Sequence, residues 1–379
     1  MSAELVTDVP DAAPLRVVPG EPEGALGATE TPRATETPRA TETPGTTGAG
    51  GDGRAGGVSW RGSGTGYGGY RLRPAHYEPE HVPQEVLRHS STPDTLAAGS
   101  PGKVGLLELE FARNDRGTEL VHHYQKSPLQ IMRPLYYDPL RPDMPYTYLM
   151  STGGGILQAD RLRTDLLFGP GSSAHVTTSA HSKVYRMEHD YAVAQTNVVV
   201  AEDAYVEYLP EPVIPFADSR FFQRTCVTLH ESGTLVAGET VFAGRLARDE
   251  RHRYAVFASD FEVRRPDGRI VALDRVRLVP EDGRTGGLAV LGDRDVLSML
   301  YVLTPLAPPT ELADLLHSVL AERFEADLFV GVSALPGDAG VWVRIVGDDT
   351  GAVALAGTVA WRAVHERLTG IEAPLIRKS

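Results

Sequence analysis

TYLMSTGGGILQADRLRTDLLFGPGSSAHVTTSAHSKVYRMEHDYAVAQTNVVVAEDAYVEYLPEPVIPF occupies residues 147–216 of the chain. Leu162, Thr164, Leu166 and Phe168 alternate with Arg163 and Asp165, the period of two that marks a half-buried strand. Gly169-Pro170-Gly171 ends that run, because proline lacks a ladder donor and glycine admits positive φ. A second strand is predicted over 175–178. A third over 192–200 is rich in β-branched residues, which suit a pleated surface. Glu202-Asp203 turns the chain, and 205–209 starts again before Pro210 stops it. Short, evenly spaced strands with no helical pattern between them predict an all-β unit of adjacent antiparallel neighbours.

Outward from this stretch the pattern continues. Residues 106–113 and 118–125 flank Asn114-Asp115-Arg116-Gly117, a hairpin signal. Pro128, Pro134, Pro139, Pro142 and Pro145 follow, so that segment reads as an ordered loop, with Tyr136, Tyr137, Tyr146 and Tyr148 packing it down. Downstream, strands are predicted over 225–229, 235–242, 253–259, 261–265, 269–273, 296–303 and 341–346, with Pro266-Asp267-Gly268 as a hairpin turn. Two helices stand out. Leu312, Leu315, Leu316, Val319 and Leu320 share one face after the N-cap candidate Thr310. The second spans 359–368 and stops at Gly370. The expected fold is mainly β, an elongated stack of antiparallel strands with two C-terminal helices. It occupies 104–379. Residues 1–100 repeat ATETPR and then run rich in Gly, Ser and Arg; so little apolar content does not offset the entropy of ordering, and a disordered tail is expected there.

Composition narrows the function. Of 379 residues 41% are hydrophobic, enough for a sizeable core, and the formal net charge is −13. That charge disfavours nucleic acid and anionic membrane as partners. No apolar run is long enough to span a bilayer, and the N-terminus carries Glu4, Asp8 and Asp11 rather than a basic, then apolar, leader, so a cytoplasmic protein is expected. Cys226 is the only cysteine; it excludes an intramolecular disulfide and reads as a small buried hydrophobe.

Motifs for chemistry are weak. Gly153-Gly154-Gly155 is followed by Ile156-Leu157, not the Lys-Ser/Thr and helix of a phosphate-binding loop, so it reads as a structural turn. His122, His123, His175, His181 and His189 are numerous around the core stretch, but none has the helical spacing of a dedicated metal site. Ser179, Ser182 and His181 offer a nucleophile and a base by type alone, without a nucleophile elbow. A β-rich hydrolase and a generic interaction module without a metal role remain the alternatives.

One set of motifs is more specific. Gly154-Gly155, Ala159-Asp160, Thr177-Thr178, Lys183-Val184-Tyr185, Leu209-Pro210, Phe216, Gly244-Arg245 and Asp249-Glu250 occur in this order. In that order they resemble the urease accessory protein UreD (UreH) family, from about Gly105 to about Leu278 and more loosely to the end. Ala159 and Asp249 stand where the family usually has glycine, which bears on two turns of positive φ. The resemblance implies an elongated β fold and a non-enzymatic maturation chaperone. It implies a scaffold that contacts UreF, UreG through UreF, and the urease apoprotein. No cofactor would be bound tightly; nickel would be in transit. Asp160, Thr178, Lys183, Tyr185, Arg245 and Glu250 are then candidates for a nickel path or partner contacts, or for paired structural residues.

Overall fold

The computed structural model describes residues 69–91, 104–287, 290–324 and 328–376. Its strands come in chain order as β1 (Val104–Asn114), β2 (Gly117–Lys126), β3 (Leu129–Ile131), β4 (Tyr146–Ser151) and β5 (Arg161–Phe168). Next are β6 (Ser173–Thr178), β7 (Ser182–Val184), β8 (Ala192–Val200), β9 (Tyr205–Tyr208) and β10 (Val213–Pro215). β11 (Arg220–Leu229), β12 (Thr234–Phe242), β13 (Gly244–Arg245), β14 (Glu250–Arg251), β15 (Val256–Arg264) and β16 (Ile270–Leu278) follow. β17 (Val296–Leu303), β18 (Phe329–Ala334) and β19 (Val341–Gly347) complete the set. The helices are α1 (Gln84–Leu87), α2 (Pro309–Phe324) and α3 (Thr350–Thr369).

Two large sheets face each other. Sheet A runs β16-β15-β11-β8-β5-β1-β2, and sheet B runs β18-β19-β17-β12-β9-β6-β4-β3 with β7 and β10 attached. Consecutive strands alternate between them: β5, β8, β11 and β15 lie in sheet A, while β6, β9 and β12 lie in sheet B. The central ladders are therefore parallel, β5 to β8, β8 to β11 and β11 to β15 in one sheet and β4 to β6, β6 to β9 and β9 to β12 in the other. This corrects the antiparallel arrangement expected for the central stretch. Turns such as Gly169-Pro170-Gly171 do not fold the chain back beside itself; they carry it across the interior, about 10 Å, to the opposite sheet. The crossover that a parallel pair requires is a strand of the other sheet rather than a helix. Antiparallel pairs are confined to the margins, as in β1–β2 and β15–β16, both at the predicted hairpin turns, and in β12–β17–β19–β18. The result is a solenoid-like two-layer stack.

Between the layers lies an apolar core that includes Leu107, Phe111, Leu166, Phe168, Val198, Val206, Phe221 and Phe261. Sheet B is covered on its outer side by the helices. Leu312, Leu316, Leu320 and Phe324 of α2 face the sheet with Val353, Ala356, Ala360, Trp361 and Val364 of α3. α2 begins at Pro309, so Thr310 lies inside its first turn rather than capping it. α3 starts nine residues before the expected Val359 (350 against 359): Asp349 accepts from Gly351 N and Ala352 N and so caps it. Gly370 ends it at φ 70°.

The outer side of sheet A is covered differently. Residues 69–91, inside the tail expected to be unstructured, form two 3₁₀ turns and α1 against this sheet. Val82 and Val86 pack there on Tyr191, Val193, Phe222 and Val256, which supplies the apolar burial that composition did not suggest. The remainder of that expectation, 1–68 and 92–100, lies outside the described residues. In the proline-dense segment Tyr146 is buried, whereas Tyr136 and Tyr137 stay 45% and 38% exposed. Cys226 is half-buried on β11, and burial pushes its thiol up.

Candidate functional site

Three of the six sequence-selected residues, Tyr185, Arg245 and Glu250, gather in two adjoining segments. Arg245 of β13 and Glu250 of β14 are register partners. Arg245 Nε donates to Glu250 Oε2 at 2.7 Å, and its Nη2 donates to Oε1. Ala217 N also donates to Glu250 Oε2. The Arg245 guanidinium lies 4.1 Å from the centre of the Phe216 ring, which also meets Tyr185 edge-on at 5.1 Å. Tyr185 Oη donates to Gly154 O at 3.3 Å. Gly154, Tyr185, Phe216, Arg245 and Glu250 are thus linked by successive contacts. The Arg245 guanidinium holds the Glu250 carboxyl below the usual carboxylate range.

Asp249, where the family pattern has glycine, sits at φ 57°, and Ala159 at φ 61°. The turns keep the left-handed backbone without the glycine. Asp tolerates that region better than Ala does. Gly155 is different: a Cβ there would lie 2.8 Å from Lys183 O and 2.9 Å from Tyr185 Cε2. Gly155→Ala is therefore expected to cost about 1–3 kcal/mol, read as a lower urea midpoint at unchanged slope.

Asp160 and Thr178 are held elsewhere. Asp160 is buried, and its Oδ2 accepts from Leu157 N at 2.8 Å, closing the turn before β5. Thr178 Oγ1 accepts from Glu211 N at 2.8 Å. Lys183 is exposed, and its carbonyl accepts from Ile156 N.

Thr178, Lys183, Gly154 and Gly155 share a further property: they line a cavity of about 360 Å³. Thr164 and Thr225 wall it from sheet A, and Thr178 and Glu239 from sheet B. Asp160, Tyr185, Arg245 and Glu250 are not among its lining residues. Glu239 was not selected from the sequence. It is 5% exposed and accepts from Thr225 Oγ1 at 2.9 Å and Ser259 Oγ at 2.7 Å. Burial pushes its carboxyl up to about 7, because these neutral donors offset only part of the desolvation.

A second buried carboxylate also escaped the sequence reading. Glu207 of β9 accepts from His175 Nδ1 of β6 at 2.7 Å, His365 Nδ1 of α3 at 2.6 Å and Tyr205 Oη at 2.7 Å. Burial opposes its ionisation, but the two imidazoles together hold its carboxyl well below the carboxylate range. This is where His175 goes. His181 pairs instead with Glu211 at 3.2 Å. His122 and His123 lie on β2, and His189 is exposed. The five histidines do not converge on one point among the described residues.

No helix among the described residues is long and apolar enough to cross a membrane. The UreD urease accessory protein family model matches residues 103–379. "Urease accessory protein UreD 2" of Streptomyces griseus is 50% identical over 293 residues, 76% of this chain and 98% of that protein. "Urease accessory protein UreD" of Haloarcula marismortui is 38% identical over 298 residues, 79% of this chain and 94% of its own length. "Urease accessory protein UreD 3" of Methylorubrum populi is 35% identical over 301 residues, 77% and 94% of the two chains. The motifs carried by Gly154, Lys183, Tyr185 and Arg245 thus sit within a match that extends to the C-terminus. The chain belongs to the UreD urease accessory protein family.

Proposed function

We propose that the chain is a urease maturation chaperone, a cytoplasmic scaffold without catalytic chemistry of its own. In this reading it contacts the urease apoprotein and UreF, UreG joins through UreF, and nickel passes through the assembly to the urease site. The cavity between the sheets is the observation that carries it. Its wall offers hydroxyls of Thr164, Thr178, Thr196, Tyr208 and Thr225 and the Glu239 carboxyl. A cargo ion needs oxygen ligands and water that release it; imidazole or thiolate clusters would retain it. The single cysteine of the chain is not among the lining residues, and His181 lines the cavity as a single imidazole paired with Glu211 rather than as part of a cluster.

Within this reading the matched residues divide by place. Thr178 and Lys183 stand on the cavity wall. Tyr185, Arg245 and Glu250 fix the adjoining edge through Gly154 and Phe216. Asp160 shapes the turn that starts β5. Nickel is bound in transit, and no cofactor is held tightly.

The test is recovery of the tagged full chain from cells expressing the urease genes. UreF and urease are expected to co-elute with it. A hydrolase or an unrelated interaction module would bring neither, and that result would overturn the reading.

A further inference from the structure

On the outer face of sheet A, beneath residues 69–91, three ligand groups converge. Glu108 of β1 and Asp165 of β5 are register partners, and both are buried. His76, at the end of the 3₁₀ turn Pro74–His76, comes down on them from the covering segment. One ligand atom from each of His76, Glu108 and Asp165 lies within 4.8 Å of the others. His76 Nε2 is buried and has no hydrogen-bond partner. A neutral imidazole nitrogen has a lone pair to give to a metal ion.

Two guanidiniums already serve the carboxylates. Arg163 Nε donates to Asp165 at 2.8 Å, and its Nη1 donates to His76 O at 2.7 Å. Arg71 Nη2 pairs with Glu108, which also accepts from Tyr70 Oη at 2.8 Å. Asn197 Nδ2 donates to Asp165 Oδ1. The two carboxylates and two guanidiniums already balance in charge, so a divalent cation enters by exchange with one arginine. Arg71 is the one able to leave. Its side chain is 21% exposed, and it lies 3.7 Å from the centre of the Tyr124 ring, a cation–π contact that does not depend on Glu108. Arg163 is tied to Asp165 and to the His76 backbone together.

We propose that His76, Glu108 and Asp165 form a site for a borderline divalent cation such as zinc, which displaces Arg71 from Glu108 and fastens residues 69–91 to sheet A. One imidazole and two carboxylates suit such an ion, and ligand atoms within 4.8 Å of one another close to about 3.4 Å apart when they bind one ion tetrahedrally at about 2.0–2.2 Å. His76 lies outside the family match of 103–379. Glu108 and Asp165 lie inside that match, so the site joins the N-terminal cover to the family body, and it does not rest on the maturation reading.

The test uses metal-free full-length chain titrated calorimetrically with zinc alone, with limited proteolysis of residues 69–91 in parallel. His76→Gln and Asp165→Asn are expected to weaken zinc binding about tenfold or more. Arg71→Gln removes the competing cation and is expected to tighten binding, and zinc should slow cleavage of the cover in the wild type. The opposite signs separate a ligand site from loss of packing, since a loosened cover would weaken binding in all three variants. Wild-type affinity in His76→Gln, or unchanged or weaker binding in Arg71→Gln, overturns the proposal.

Discussion

Glu207→Ala is expected to destabilise the chain by about 3–5 kcal/mol, the range for breaking a buried charged network from one side. Glu207 is fully buried and is the shared acceptor of His175, His365 and Tyr205. Its removal leaves three buried donors without that partner, each costing about 1–3 kcal/mol if nothing replaces it. The network bridges β9 and β6 of sheet B to α3, so α3 should lose amide-exchange protection before the sheets do. Glu207→Gln keeps the volume and one acceptor and is expected to cost less. The pH dependence has a defined sign. The folded-state pKa of Glu207 is depressed from its ordinary 4.5. Its contribution is therefore complete above the ordinary carboxylate range and is lost as pH falls toward the folded value. Urea midpoints measured from neutral to acid pH should drop in the wild type and stay flatter in Glu207→Ala. An alanine variant as stable as wild type would mean that α3 is held by its apolar face alone.

Strand positions were legible because they depend on neighbours in sequence. The alternation of Leu162, Leu166 and Phe168 against Arg163 and Asp165 placed β5, and the β-branched run placed β8 at its observed limits. Which sheet each strand joins was not legible from the turns. Gly169-Pro170-Gly171 ends a strand equally well whether the chain returns beside it or crosses the interior. The missing signal was spacing: β5, β8, β11 and β15 begin at 161, 192, 220 and 256, a period of about 30 residues that belongs to solenoids. The family pattern found the Tyr185–Phe216–Arg245–Glu250 cluster because those residues occupy strand ends and the short β13–β14 pair, where local chemistry is fixed. It missed Glu207 and Glu239, which sit inside apolar strands. Sheet B is buried on both faces, by the core and cavity on one side and the helices on the other. Alternation then no longer separates water from interior. A lone carboxylate in YVEY or LVAGETVF was the available sign, since an acid inside a two-sided strand requires partners.

Glu239 carries the larger functional consequence. The native state holds this carboxyl at about 7, against 4.5 when unfolded. Between those values the folded chain keeps a proton that the unfolded chain has released, so stability is complete below about pH 4.5 and falls as pH rises through the window, by on the order of 3 kcal/mol. Thr225 and Ser259 hydrogen-bond the group, and no ion pair to it occurs among the described residues. Glu239→Gln removes the ionisation while keeping the shape. The variant should be more stable than wild type by about 2–3 kcal/mol near pH 8, and the difference should vanish near pH 4. Urea unfolding at the two pH values measures this. If nickel moves past the cavity wall, the same variant should lower urease activation in cells, because the buried carboxylate on that wall is gone and only Glu211, already paired with His181, remains there, while UreF and urease still co-elute. A gain in stability with a loss of activation is the mark of a residue kept for function at the expense of the fold. Equal stability near pH 8 would show that the native state does not hold this carboxyl above its ordinary range. Unchanged urease activation would show that the ion does not pass Glu239.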